Sequence, residues 1–191
     1  MRNRPEIFLQ MKPTEFKARF IKALPVIPPD IDLDLAQFQT FPPKLVNDLN
    51  IPTSDKAILI EVGLPESAAP FLDFCLKEDL VLQPLNQLDT SLEDEFKDFL
   101  LIGSNGSGDS ICINKSFGEI VYFNHDNDMQ KIFMNSSVTK LAETLCLFAE
   151  SMAAGYNTDF INDLARVDIQ AIREPAMWPF EFKMSKEALE E

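Results

Sequence analysis

Between Lys97 and Asn135 the apolar positions fall into four short runs: KDFLLIG, DSICIN, GEIVYFN and QKIFMN. Each run is rich in β-branched and aromatic residues, and SNGSG, KSF and HDNDM separate them. That pattern predicts consecutive strands. Links this short permit hairpins but not parallel crossovers, which need about a dozen residues or more, so an antiparallel meander is expected. Downstream the period lengthens. Val138, Leu141, Leu145, Phe148 and Met152 recur at helical spacing behind the candidate N-caps Asn135, Ser136 and Ser137, and Gly155 stands where a helix ends. A second helix is predicted from Thr158 through FINDLARV to IQAI, stopping before Pro175, and the chain closes with MWPFEF and an acidic helix-prone tail.

The chain before these strands is less regular. Thr14 is placed to cap the helix EFKARFIKAL, with Phe16, Phe20 and Ile21 on one side. Prolines punctuate the stretch from Pro25 to Pro43, within which IDLDL hints at an extended edge. LVNDL predicts a short helix before Pro52. Ser54 and Asp55 start another, which carries Ile58, Leu59 and Val62 and ends at Gly63. FLDFCL and LVLQPL read as short strands around an acidic turn at Glu78 and Asp79. Helices, then strands, then helices make an α+β fold: a central, mostly antiparallel sheet of about four to six strands flanked by N- and C-terminal helices. Residues 1–44 are expected as a helix and proline-rich connector packed on an α+β domain at 45–191.

Charge narrows the partners. The 191 residues hold 31 Asp+Glu against 17 Lys+Arg, a net −14. Residues 1–30 carry Arg2, Arg4, Lys12, Lys17, Arg19 and Lys22 against Glu6, Glu15 and Asp30, net +3, which leaves −17 on the rest. The basic start reads as a solvated first helix, or as an arm that docks on the acidic body or on a partner. The acidic body argues against nucleic acid and anionic membranes as partners, since both need a basic footprint. No apolar window approaches a bilayer span, and no signal peptide is visible. Cys75, Cys112 and Cys146 sit in apolar runs, as buried thiols of a reducing compartment do. A cytoplasmic location is expected.

Candidate chemistry is sparse. Gly103, Gly106 and Gly108 have no GK[ST] and no following helix, so they predict a hairpin and not a phosphate loop. His125 is the only histidine, too little for a triad. His125, Asp126 and Asp128 lack the glycine and closing glutamate of a calcium loop and read as a solvated turn. The cysteines show no zinc spacing. No catalytic residue, metal or cofactor is expected. Glu93, Asp94, Glu95 and Asp98 form the densest acidic cluster, read as the first turn of a helix capped by Ser91 or as a partner-binding surface together with Asp126 and Asp128. The aromatic cluster Trp178, Phe180 and Phe182 is expected to close the core or, if exposed, to anchor an interface.

Residues 99–150 resemble the core of the SUKH superfamily. A strand enters a glycine hairpin at Gly108–Asp109, the Gly118 turn leads to the Val121–Tyr122 strand, and a His/Asp loop precedes a capped helix. EVGLPESAAPFLDF, with Gly63 and Pro65, is similar to the branch associated with immunity to nucleotide deaminases. The resemblance implies a non-enzymatic immunity protein that neutralises a nuclease or nucleic-acid deaminase toxin by direct binding. For so acidic a chain, a basic toxin is the expected partner. The alternative is a regulatory scaffold related to cell-wall synthesis regulators, without a toxin.

Overall fold

The structure, a computed structural model, describes residues 11–190. In chain order the elements are α1 (Pro13–Ala23), β1 (Phe38–Gln39), α2 (Pro43–Asn47), α3 (Thr53–Ala57), β2 (Leu64–Pro65), β3 (Ser67–Ala68), β4 (Leu72–Asp73) and α4 (Leu85–Leu88). They continue with β5 (Phe99–Asn105), β6 (Ser110–Asn114), β7 (Ile120–Asn124), β8 (Gln130–Asn135), α5 (Val138–Ala153), α6 (Phe160–Val167) and α7 (Met177–Glu190). A wide π-type turn over Ile58–Val62 extends α3, and a 3-10 turn over Asp94–Asp98 leads into β5.

Strands β3 to β8 form one antiparallel sheet in sequence order, and β1 and β2 pair separately. The expected α+β class and antiparallel meander are therefore present. Gly103 sits at an irregularity in β5, where a Cβ would lie 2.5 Å from the Asp73 carbonyl oxygen. Glycine is what lets β4 approach there.

Both sheet faces are apolar, because neighbouring strand residues enter different cores. Ile102, Ile111, Ile113, Ile120 and Met134 face the helical side, in one core with Phe16, Phe20, Leu141, Leu145, Phe148 and Trp178. Leu101, Cys112, Val121 and Phe123 face the other side. They pack with Leu85, Leu76, Leu80, Leu92 and Phe96 from the irregular segment between β4 and β5.

The start of α5 draws polar groups from distant segments. Ser137 Oγ accepts the Lys140 N–H at 3.2 Å. Buried Asp55 accepts the N–H groups of Val138 and Thr139 at 3.3 and 3.0 Å and the Thr139 hydroxyl. Asp168, also buried, accepts the Ser136 N–H at 2.7 Å and its hydroxyl at 2.9 Å. Trp178 is fully buried, as expected, and its Nε1–H donates to Asn135 Oδ1 at 3.0 Å; Phe182 packs partly buried against the same core, but Phe180 is exposed. Helix α1 lies on α5, with Arg19 held by two bonds from Nε and Nη2 to Glu150, at 2.7 and 2.8 Å.

Several local expectations are corrected. Helix α1 starts after Lys12, whose N–H is taken by Glu15 at 3.1 Å, so Thr14 is inside the helix. Ile21 faces outward, and Ala23 joins Phe16 and Phe20 inside. IDLDL forms no strand. FLDFCL supplies only the two residues of β4. LVLQPL runs beside β5, where Leu82 N–H donates to Leu101 C=O and Leu101 N–H to Gln83 C=O, both at 2.9 Å. Pro84 and the left-handed Leu82 (φ 56°) stop the ladder there. Helix α6 ends at Val167, and IQAI lies in turns. Cys112 and Cys146 are buried, whereas Cys75 is exposed.

Candidate functional site

The cover of the second sheet face is the most charged segment of the protein. Between Leu76 and Asp98 it carries seven carboxylates (Glu78, Asp79, Asp89, Glu93, Asp94, Glu95 and Asp98) against Lys77 and Lys97, net −5. Leu76, Leu80, Leu85, Leu92 and Phe96 turn inward onto the sheet, Leu88 stays exposed, and all seven carboxylates except half-buried Asp98 are exposed. The physical reason is local. The segment has little regular structure, so it can place leucines and phenylalanines down and acids up without helical or strand periodicity.

Glu93, Asp94, Glu95 and Asp98 sit together on and just before the 3-10 turn. Asp94 pairs with Lys97, and Asp98 Oδ1 lies 2.7 Å from Lys115 Nζ on the β6–β7 turn. Ser91 does not cap this turn. Its N–H and hydroxyl donate to Asp89 at 2.9 and 2.6 Å, which holds the Asp89 carboxyl below its ordinary range.

Asp126 and Asp128 lie elsewhere. The acidic turn enters β5 at one end of the meander, while the β7–β8 turn that carries them is at the other. The five residues of β7 separate the two ends by roughly 17 Å. The six predicted residues therefore form two groups on opposite ends of the sheet.

His125 is oriented by Asp109 of the neighbouring hairpin. Its Nδ1 is 2.6 Å from Asp109 Oδ1, its backbone N–H donates to the same oxygen at 3.0 Å, and Nε2 is 3.4 Å from Asp126. Burial disfavours the Asp109 carboxylate. The His125 N–H, the Asn105 amide and the imidazole outweigh that, so its pKa falls below the usual aspartate range. The arrangement ties the β5–β6 and β7–β8 turns together. Among the described residues, no group of three or more His, Cys, Asp and Glu side chains is arranged to hold a metal ion. No helix among them is long and apolar enough to cross a membrane.

The model of the SUKH-4 immunity protein family matches residues 35–179, well over half of the chain. The protein belongs to this family. That places it in the SUKH superfamily, among immunity proteins whose partner is a protein toxin. No curated protein and no solved structure matches it. The acidic cover and the His125–Asp109 pair lie inside the part matched by SUKH-4, and most of α7 lies beyond it.

Two features were missed in the sequence. Phe71, read as the start of a strand, is a hairpin tip with its ring in solvent. Glu181, within the aromatic MWPFEF, is half-buried against the hairpins. An acid amid aromatics was the available signal for the second; nothing marked the first.

Proposed function

We propose that this SUKH-4 protein neutralises a basic toxin, a nuclease or nucleic-acid deaminase, by direct binding and without a catalytic step. One observation carries the reading: seven carboxylates gathered on the segment that covers one sheet face. An enzyme that grips nucleic acid lines its cleft with lysine and arginine, and a dense acidic surface competes for that cleft. A standard half-interface is about 800 Å². An even spread of the 31 carboxylates over the 11280 Å² of surface would place about two in such a patch, whereas Glu93, Asp94, Glu95 and Asp98 put four on and just before one 3-10 turn. Complementary charge speeds encounter and sets specificity, while buried anchors hold the complex.

Co-expression with any toxin candidate encoded beside it tests the proposal, scored by growth rescue and co-purification. The association rate is expected to fall about tenfold or more between low and ~0.5 M salt, with little change in dissociation. A salt-insensitive association rate would sink the electrostatic account. Failure to rescue against any co-encoded toxin would favour the regulatory scaffold. His125→Ala is expected to keep full protection, because the imidazole serves as a clasp between turns; loss of protection with an intact fold would point to chemistry at that pair.

A further inference from the structure

The hairpin between β3 and β4 ends at Phe71, whose residue is 82 % exposed and whose backbone has φ of 61°. Left-handed backbone is unfavourable for a bulky side chain, and so is a phenyl ring in water. Strain of this kind concentrates at functional positions. Gly106 on the β5–β6 turn supports the tip: a Cβ there would stand 2.9 Å from Phe71 Cβ, so only glycine lets the two turns close. Phe71 lines a groove of about 560 Å³ together with Met152, Tyr156 and Met184. A hollow of about 370 Å³ continues from Phe71 to the glycine turn, and Glu181 lines both. Among the described residues no hydrogen bond or ion pair reaches the Glu181 carboxylate, and burial raises its pKa.

We propose that this groove seats a partner segment carrying an arginine or lysine beside apolar side chains, the cation on Glu181 and the apolar groups against Phe71 and Met184. A half-buried carboxylate without a cation is costly, and an incoming guanidinium or ammonium removes that cost. The Phe71 face offers the same cation a π surface. The inference rests on the immunity reading in one respect: the segment belongs to the toxin, for which the groove supplies the anchor that the acidic cover lacks.

Two arms test it. In the first, the ¹⁵N-labelled full chain is titrated with the acetylated, amidated peptide Leu-Arg-Trp-Leu and with its Glu-for-Arg counterpart. The arginine peptide is expected to bind at about 1 mM, with shifts at Phe71, Gly106, Glu181 and Met184 that Glu181→Lys abolishes. Equal response to both peptides, or shifts elsewhere, overturns the proposal. So does a groove that perturbs on concentrating the protein alone, which would mean a second copy occupies it. In the second arm, Phe71→Ala and Glu181→Lys each weaken binding of the neutralised toxin by about 30-fold or more, with unchanged thermal unfolding. Wild-type affinity in both variants overturns the groove and leaves the immunity reading standing. A toxin that the unaltered protein never binds overturns the immunity reading, and the peptide arm still decides the groove.

Discussion

The two faces of the six-stranded sheet are covered by opposite means. On one, α1, α5 and α7 bury a continuous core and use carboxylates internally: Asp55 and Asp168 are about 1 % exposed and hold the backbone at the start of α5. On the other, an irregular segment lays a few leucines and phenylalanines on the strands and turns its carboxylates to water. The same side-chain chemistry thus does two jobs, and its partners decide which. Buried acids that accept bonds from remote segments hold an architecture, whereas the exposed acids of the cover take their few donors from near neighbours or from surface lysines. Net charge cannot distinguish them.

The contrast breaks first at Trp178. Trp178→Ala removes the largest buried side chain of the helical face and orphans Asn135 Oδ1, and should cost about 3–5 kcal/mol in denaturant unfolding. Asp55→Ala leaves two N–H groups and a hydroxyl without their acceptor at the head of α5, an expected loss of ~2–3 kcal/mol. Leu85→Ala, in the smaller core under the acidic cover, should cost about 2 kcal/mol. A loss equal to that of Trp178→Ala would mean the two faces share the stability evenly.

Acid sensitivity is a finer probe. Asp109 has a folded pKa below its unfolded value, so its stabilisation is fully present above the unfolded aspartate value of about 3.9 and disappears as pH falls through the lower folded value. Asp109→Asn should flatten that acid limb of the stability curve and leave its alkaline side alone. The smallest structural effect belongs to the cover: Glu93→Lys with Glu95→Lys should move stability by no more than about 0.5 kcal/mol, yet slow association with the toxin. A large stability loss there would show that those exposed acids hold the fold.

The meander was legible because β5 to β8 each combine strand residues with turn chemistry over short distances. The same local logic found α5 and its Ser137 cap. What escaped depended on remote partners. LVLQPL has strand composition, but Pro84 lacks an N–H and Leu82 turns left-handed, so only a two-residue contact with β5 survives. Asp55 looked like a cap for its own helix because its true partners lie more than 80 positions away. The acidic cluster at Glu93–Asp98 could be located on the chain. Its separation from Asp126 and Asp128 follows only once consecutive hairpins assign alternate turns to alternate ends of the sheet. Glu181 stood out in the sequence only as an acid amid aromatics, and its place in a groove follows once α7 lies beside the hairpins.

The clasp between Asp55 and Thr139 also sets a clock for synthesis. Eighty-four positions separate the two residues. At about 5–20 residues per second, the carboxylate waits roughly 4–17 s for its partner to be made. During that interval hairpins closed by neighbouring residues can form as they emerge, while α3 has nothing to hold. The acidic cover, which lies between the two, is therefore displayed by a nascent chain before the helical half is locked in place.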